Sequence, residues 1–335
     1  MILAGDIGGT STRLDWADSL RGRPVLQAER VYKSRDYSAL ADIVAQFLKD
    51  APGTVSSAAF GIAGPVLAGV TSTPNLPWVV RTTELAGQLG LKDVALLNDL
   101  KAHAYGLAHV APENLVTLQK GEVPAGGANA ALIAAGTGLG EAGLFWDGHA
   151  HQPFATESGH ADFAPRNALE SELLQYLLKQ FERVSYERVL SGMGLPQLYN
   201  FLRDTGRGEE SEACRAAMAS GDPSAAITQA ALERADPLAN AALDAFVSLY
   251  GAEAGNLALR TLALGGVYVG GGIAPKILHR ITSNPAFLES FLAKGRMRPL
   301  LERIPVRIVL DEKTALLGSA HCALLGLELP LKGAP

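Results

Sequence analysis

The feature that most constrains this chain is a set of three glycine-rich turns, each placed directly after a short apolar run. They are Gly5-Asp6-Ile7-Gly8-Gly9-Thr10, Gly136-Thr137-Gly138-Leu139-Gly140 and Gly270-Gly271-Gly272. An apolar run that ends on glycine reads as a buried strand followed by its turn. One such turn decides nothing, because glycine punctuates turns in every fold. Three of them, the first carrying an acid and a threonine, predict several strand ends converging on a polyphosphate. Backbone N–H groups close on phosphate oxygens only where no Cβ intrudes. Leu97-Asn98-Asp99-Leu100 adds a carboxylate at the end of a further apolar run.

The pattern along the chain is that of an α/β protein. Residues 2–4 and 12–16 read as strands around a turn over 5–11, and 25–33 as a third β segment completing an antiparallel meander. A helix is expected over about 38–49, with Leu40, Ile43, Val44, Phe47 and Leu48 as its apolar stripe. Residues 55–63 form a buried strand, Thr83 caps a short helix running to Leu89, and 94–97 is a strand that meets Asp99 at once. Such alternation predicts a parallel or mixed sheet covered by helices.

After residue 110 the same grammar restarts: a strand at 130–135, a glycine turn and a returning strand at 141–146 hint at two similar halves. Helices dominate from 168 to about 264, including a long amphipathic stretch over 237–262. A strand at 267–269, a helix opened by Pro275, a strand at 307–310 and a helix at 314–325 complete the chain. Two domains are expected, 1–109 plus 310–330 and 110–309, with hinges near 110 and 305–312.

Composition narrows the class. The chain has 335 residues, 48% apolar and 19% charged, the profile of a soluble α/β enzyme long enough for two cores. A net charge of −5 leaves no basic surplus for a nucleic-acid backbone, so no nucleic-acid partner is expected. Asp6 follows the start with no basic stretch before it, which argues against a signal peptide. No apolar run approaches the roughly 20 residues of a membrane span. The two cysteines, Cys214 and Cys322, have no CxxC spacing, so neither a disulfide framework nor a cysteine-rich zinc site is expected. A cytoplasmic protein without a membrane partner is the expectation.

In the first turn the N–H groups and the Thr10 hydroxyl would face phosphate, and Asp6 beside them would repel it unless a cation intervened. The turn therefore predicts Mg²⁺ at Asp6, held partly through water; a plain hairpin turn is the alternative. Neither a P-loop Gly-Lys-Ser/Thr nor a kinase His-Arg-Asp occurs. The second turn fits a dinucleotide fingerprint loosely through Gly143, but that fingerprint opens a helix, whereas 141–146 reads as a strand. A hairpin cradling the β- and γ-phosphates fits better, and the chain reads as a nucleotide-dependent phosphotransferase. For Asp99 two readings stand side by side, a catalytic carboxylate and the N-cap of a helix over 100–107. For Glu157 and Glu187 the plainer alternative is surface charge, and for His160 a structural histidine. His149, His151 and His160 lack the cysteine or carboxylate company of a zinc site.

Over nearly its whole length the chain resembles the bacterial ATP-dependent glucokinases. The likeness is carried by Gly5–Thr10, Leu97–Leu100, Ala135–Gly140, Glu157-Ser158-Gly159-His160-Ala161-Asp162-Phe163, Tyr186-Glu187-Arg188-Val189-Leu190-Ser191-Gly192 and Gly270-Gly271-Gly272-Ile273. That resemblance implies a two-domain actin-like ATPase (ribonuclease H-like) fold with mixed sheets and a cleft between domains. It implies transfer of the γ-phosphoryl group of ATP to the 6-hydroxyl of glucose, the first step of glycolysis, with Mg²⁺ and a homodimer. By the same resemblance Asn98, Asp99, Glu157, His160 and Glu187 bind the sugar and Asp99 is the catalytic base. Gly5, Asp6, Ile7, Gly8, Gly9, Thr10, Gly136, Thr137 and Gly138 bind phosphates, with Gly271 and Gly272 near the adenosine.

Carboxylates, amides and an imidazole suit a ring of hydroxyls, since a wrong epimer leaves a buried group unpaired. The chain departs from the family at Ser11-Thr12-Arg13, where asparagine often follows the threonine, and at Pro74, where threonine is common before Asn75. It has no cysteine before 214, unlike the zinc motif of the related repressor/kinase proteins. A sugar sensor on the same fold would be expected to lack Asp99 or the Asp6 turn. A chaperone-like ATPase would have no use for Glu157, His160 and Glu187.

Overall fold

A computed structural model describes residues 1–73 and 76–328. The departure expected at Pro74 and Asn75 lies outside the described residues. Those residues divide into two compact units, one comprising residues up to 112 with 152–155 and those from 311 onward, the other comprising 113–151 and 156–310. Among the described residues no helix is long and apolar enough to cross a membrane.

The strands of the first unit are β1 (Ile2–Ile7), β2 (Ser11–Leu20), β3 (Arg23–Leu26), β4 (Arg30–Lys33), β5 (Ser57–Ile62), β6 (Val70–Ser72), β7 (Val79–Arg81) and β8 (Ala95–Asn98). The main sheet runs β3–β2–β1–β5–β8, with β4 also paired to β2, and β6–β7 form a separate hairpin. β2 is antiparallel to β1, whereas β5 and β8 continue in parallel. The inner strands are nearly continuously apolar because both faces are covered. Leu3, Ile7, Phe60 and Ile62 meet Leu40, Ile43 and Phe47 of helix Leu40–Leu48 on one face. Ala4, Ala59, Ala95 and Leu97 meet Ala102, Leu316 and Ala320 on the other. Small residues let helices Asp99–Gly106 and Thr314–Leu325 come close: a Cβ on Gly318 would land on Ala102 O, and one on Gly106 on Thr314 O.

Three expectations are corrected here. The segment 25–33 is two strands, because the N–H groups of Gln27 and Ala28 both donate to Asp15 Oδ1 at 2.9 Å, and β3 and β4 pair with different stretches of β2. The turn expected over 5–11 is tighter, since Gly5, Asp6 and Ile7 belong to β1 and only 8–10 turn. Thr83 is not a cap: helix Thr82–Leu89 starts one residue earlier, with no side-chain cap at Arg81.

In the second unit the strands are β9 (Leu115–Gln119), β10 (Ala130–Ala135), β11 (Leu139–Trp146), β12 (His151–Thr156), β13 (Gly266–Gly270) and β14 (Val306–Val309). Their order is β12–β11–β10–β13–β14–β9. The run β12–β11–β10–β13–β14 repeats β3–β2–β1–β5–β8: a glycine turn between antiparallel strands, then two parallel neighbours. The restart of the sequence pattern is thus a repeated topology, with β9 added antiparallel to β14 at the edge.

Helix Pro237–Thr261 is capped by Asp236, whose Oδ1 accepts the Ala239 N–H at 2.7 Å, with proline at the first position. It is not amphipathic as expected but buried nearly all round. Gly251 and Gly255 leave room for the backbone at Phe287 and Phe291, so helix Ala286–Leu292 packs tightly on it. The helix expected to open at Pro275 begins at Leu278, since residues 271–277 make successive turns instead.

Candidate active site

The first unit gathers two strand ends. β1 ends in the turn 8–10, where Gly8 N donates to Ser11 O at 2.9 Å. Ser34 braces this turn: its Oγ donates to Gly8 O at 2.7 Å and its N to Thr10 O at 3.1 Å. Gly8, Gly9 and Thr10 are accessible, but Gly5 and Ile7 are core residues, and a Cβ on Gly5 would run into the Phe60 ring. Asp6, next to them, is half-buried and pairs across the sheet with Arg13.

No described residue donates a hydrogen bond to the Asp6 carboxyl. Burial pushes its pKa up to about 6, against the pull of Arg13 and with a push from Glu29. A carboxylate held there is short of positive charge, and its hard oxygens suit Mg²⁺. Among the described residues no group of three or more His, Cys, Asp or Glu could hold a metal alone. Asp6 therefore fits a cation that brings most of its ligands with it, on phosphates and water.

β8 ends at Asn98, and helix Asp99–Gly106 follows without a loop. The cap of this helix is Asn98, not Asp99: Asn98 Oδ1 accepts the N–H groups of Leu100 and Lys101 at 3.0 and 3.2 Å. Its Nδ2 donates to Gly64 O at 3.3 Å. Asp99 sits at the first helical position, half-buried, with Oδ1 accepting from Leu100 N at 2.8 Å. A carboxylate there interacts favourably with the helix dipole. Behind it, Gly61 of β5 leaves space for the helix, since a Cβ there would press on Ala102 Cβ at 2.7 Å.

The second unit builds its cluster around Glu187. The turn between β10 and β11 holds Gly136, Thr137 and Gly138, with Gly136 N donating to Gly138 O at 2.8 Å. Glu187 Oε2 accepts the Leu139 N–H at 2.9 Å, and a Cβ on Gly138 would displace that oxygen from its place. Glu187 Oε1 faces His160 Nδ1 at 3.7 Å. His160 and Glu157 sit exposed on either side of Gly159, whose bare Cα packs on Leu139 O. Glu157, His160, Glu187 and the second glycine turn are therefore one structure. The third turn adjoins it: Gly271, at φ +82°, packs on Ala135, and Ile273 N donates to Ala135 O at 3.1 Å. Gly272 is open to space.

Several supporting residues carried no signal in the sequence. Tyr250 Oη accepts from Ala135 N at 3.0 Å and donates to Gly270 O at 3.1 Å, fixing two strand ends just before their glycine turns. Gly192 N donates to Gly136 O at 2.7 Å, and Ser191 Oγ donates to Glu187 O at 2.7 Å. Ser191 and Gly192 lie within a stretch that carried the resemblance, without being assigned a role there. Ser34 and Tyr250 are ordinary residues in ordinary elements, and only tertiary structure brings them to the turns.

With this geometry in view, a family model described as Glucokinase matches residues 3–325. The glucokinase of a Nostoc species is 44% identical, covering 96% of this chain and 98% of the relative. The glucokinase of an Antarctic psychrotroph superposes with a TM-score of 0.81 at 29% identity, covering 96% of this chain and 98% of that one. A ROK-family glucokinase from Streptomyces griseus, in complex with glucose and AMPPNP, shares the fold with a TM-score of 0.66 at 21% identity, over 97% of this chain and 99% of that one. Repeated sheet topology, strand-end carboxylate and the Glu187-centred cluster thus meet a full-length match in sequence: the chain belongs to the glucokinase family.

Proposed function

We propose that this protein transfers the γ-phosphoryl group of ATP to the 6-hydroxyl of glucose, giving glucose 6-phosphate and ADP as the first step of glycolysis. One observation carries the reading: the Glu187 carboxyl holds the second glycine turn with one oxygen and faces His160 with the other. A turn suited to phosphate and groups suited to hydroxyls are thereby built as one piece. Family membership and the glucose- and AMPPNP-bound structural relative support the same substrates.

In this reading Asn98, Asp99, Glu157, His160 and Glu187 bind the hexose. Asp99 accepts the hydrogen bond of the 6-hydroxyl and takes its proton as the new O–P bond forms. The turns at 8–10 and 136–138 orient the phosphates through N–H groups and Thr10, and Gly271 and Gly272 lie by the adenosine. Asp6 would hold Mg²⁺ through water, and the ion, when bound, neutralises phosphate charge. Phosphoryl transfer passes through a loose transition state, so alignment and charge neutralisation supply most of the acceleration. Residues 1–109 with 310–330 and residues 110–309 act as the two domains of an actin-like ATPase. The protein works in the cytoplasm as a homodimer.

The direct test is ADP release with Mg·ATP, without sugar and then with glucose, mannose, fructose or N-acetylglucosamine. Glucose-dependent release with glucose 6-phosphate as product is expected; release at one rate whatever the sugar points instead to a plain ATPase.

A further inference from the structure

Behind the Glu187 cluster lies a buried pair of carboxyls that the proposed chemistry does not use. Glu141 on β11 and Glu253 on helix Pro237–Thr261 are both fully buried. Among the described residues one guanidinium serves them: Arg260 pairs with Glu253 Oε1 and stands 3.5 Å from Glu141 Oε2. Glu253 is otherwise satisfied, because Asn256 Nδ2 donates to its Oε2 at 2.8 Å. Glu141 is not, since neither of its oxygens receives a hydrogen bond from a described residue. Two ionised carboxylates side by side away from water, sharing one arginine, would repel each other strongly. Neither could donate to the other. A single proton on the pair removes the repulsion and supplies the missing donor.

This pair is wired to the residues placed around the sugar. Asn256 Nδ2 also donates to Tyr186 Oη at 3.0 Å, and Tyr186 immediately precedes Glu187. Glu141 O accepts from Thr156 Oγ1 at 2.9 Å, and Thr156 immediately precedes Glu157. Glu141 is also two residues beyond Leu139, whose N–H holds the Glu187 carboxyl.

We propose that Glu141 and Glu253 share one proton and that the protonated pair is a positioning device for Glu157 and Glu187, so that its loss weakens hexose binding. The idea rests on the hexose kinase reading for its kinetic consequence, but the shared proton stands on the buried geometry alone. Burial and Glu253 push the Glu141 pKa up to about 8, which puts the loss of the proton within reach of mild alkali. The titratable and charged groups facing the pair are Arg260 and Tyr250 on the long helix, Tyr186 beside Glu187, and Lys294 across from Asn256. Lys294, lowered to about 8 by burial and by Arg166, is the one other group that titrates in this range.

The test follows glucose KM, Mg·ATP KM and kcat from about pH 7 to about pH 9. If only the protonated pair binds hexose, glucose KM rises about tenfold across that range, with Mg·ATP KM nearly level. Glu141→Gln keeps a neutral donor facing Glu253 and should abolish the rise while leaving neutral-pH KM close to wild type. Lys294→Met, which removes the other titrating group, should leave the rise intact. A rise that persists in Glu141→Gln, or vanishes only in Lys294→Met, overturns the proposal. Infrared spectroscopy gives a readout independent of activity. A protonated-carboxyl C=O stretch present at neutral pH should vanish in alkali and be missing from Glu141→Gln. Its absence from the wild-type protein at neutral pH overturns the shared proton even if the enzyme acts on glucose. Should Glu141→Gln not fold, Glu253→Gln offers the same neutral donor from the other side and is read by the same two measurements. A wild type inert toward glucose, yet showing the carboxyl band, refutes the hexose kinase reading and the positioning role while leaving the shared proton standing.

Discussion

Tyr250 Oη accepts the Ala135 N–H at 3.0 Å, one residue before the second glycine turn, and passes its own proton to Gly270 O at the edge of the third. A fully buried hydroxyl thus closes two backbone groups at the ends of neighbouring parallel strands. Tyr250→Phe keeps the ring and strands both partners. A buried backbone group left without a partner costs about 1–3 kcal/mol. The variant should lose that much stability in urea and raise Mg·ATP KM several-fold, with glucose KM nearly unchanged. An unchanged Mg·ATP KM would separate the strand ends from nucleotide binding.

Asp99 stands at the first position of its helix with Asn98 as the cap, so the capping role that was one reading of Asp99 falls on its neighbour. Asp99→Asn should fold as the wild type does, since the cap is untouched. A general base contributes about 10²–10⁴-fold, roughly 3–5 kcal/mol. We expect kcat to fall by that factor while glucose affinity, read by intrinsic fluorescence, changes little. Turnover at the wild-type rate would remove Asp99 from the proton transfer.

Glu187 performs two tasks with its two oxygens, and substitutions can divide them. Glu187→Gln retains an oxygen for the Leu139 N–H but loses the negative charge facing His160. Glu187→Ala removes both, leaving that N–H without its acceptor. The glutamine variant should raise glucose KM about tenfold and spare Mg·ATP KM. The alanine variant should raise both and lower the melting temperature. Equal effects of the two substitutions on both constants would show that the charge alone matters.

How far the sequence carried this reading depends on the range of the interactions involved. Each glycine turn followed a local apolar run, and local patterns survive folding: β10, its turn and β11 lie close to where periodicity put them. Helix Thr314–Leu325 matches its expected span, because its apolar run and Gly326 are both local signals. The failures come from partners distant in sequence. Asp15 breaks the segment 25–33 in two through hydrogen bonds to Gln27 and Ala28. Pro275 looks like a helix start, yet Ala135 O takes the Ile273 N–H and holds the chain in turns. The stretch over 237–262 reads as amphipathic, whereas the helix is buried nearly all round and a second helix packs on its Gly251 and Gly255. The site was legible as separate motifs, while its bracing by Ser34, Tyr250 and the Glu141–Glu253 pair was not, since serine, tyrosine and glutamate occur anywhere.

Acid should act on the first unit through His103. It lies on the Asp99 helix with a buried Nε2 that has no partner among the described residues, and burial lowers its pKa from 6.5 to about 4. The unfolded chain therefore binds a proton below about pH 6.5 that the folded protein refuses until about pH 4. The stability linked to His103 is full above pH 6.5 and is lost as pH falls toward 4, by no more than about 3 kcal/mol. His103→Leu removes this linkage. Its melting temperature relative to wild type should climb steadily as pH drops from 6.5 to 4, and a difference independent of pH would mean that the imidazole titrates normally.

The sharpest steric prediction concerns the contact between helices Asp99–Gly106 and Thr314–Leu325. Gly318 lies against Ala102 O, and the first atom of any side chain would fall on that oxygen. The backbone cannot yield as a flexible side chain would, so Gly318→Ala must push the helices apart. Overpacking of this kind costs about 1–3 kcal/mol or more. Because Asp99 begins the helix that is pushed, the cost should appear in kcat as well as in stability. Gly90→Ala is the control: it ends helix Thr82–Leu89 at φ +65°, with nothing within 4 Å of an added Cβ. That change should cost about 1 kcal/mol of backbone strain and leave kcat alone. If Gly318→Ala loses stability with kcat unchanged, the position of the Asp99 helix is not set by this packing.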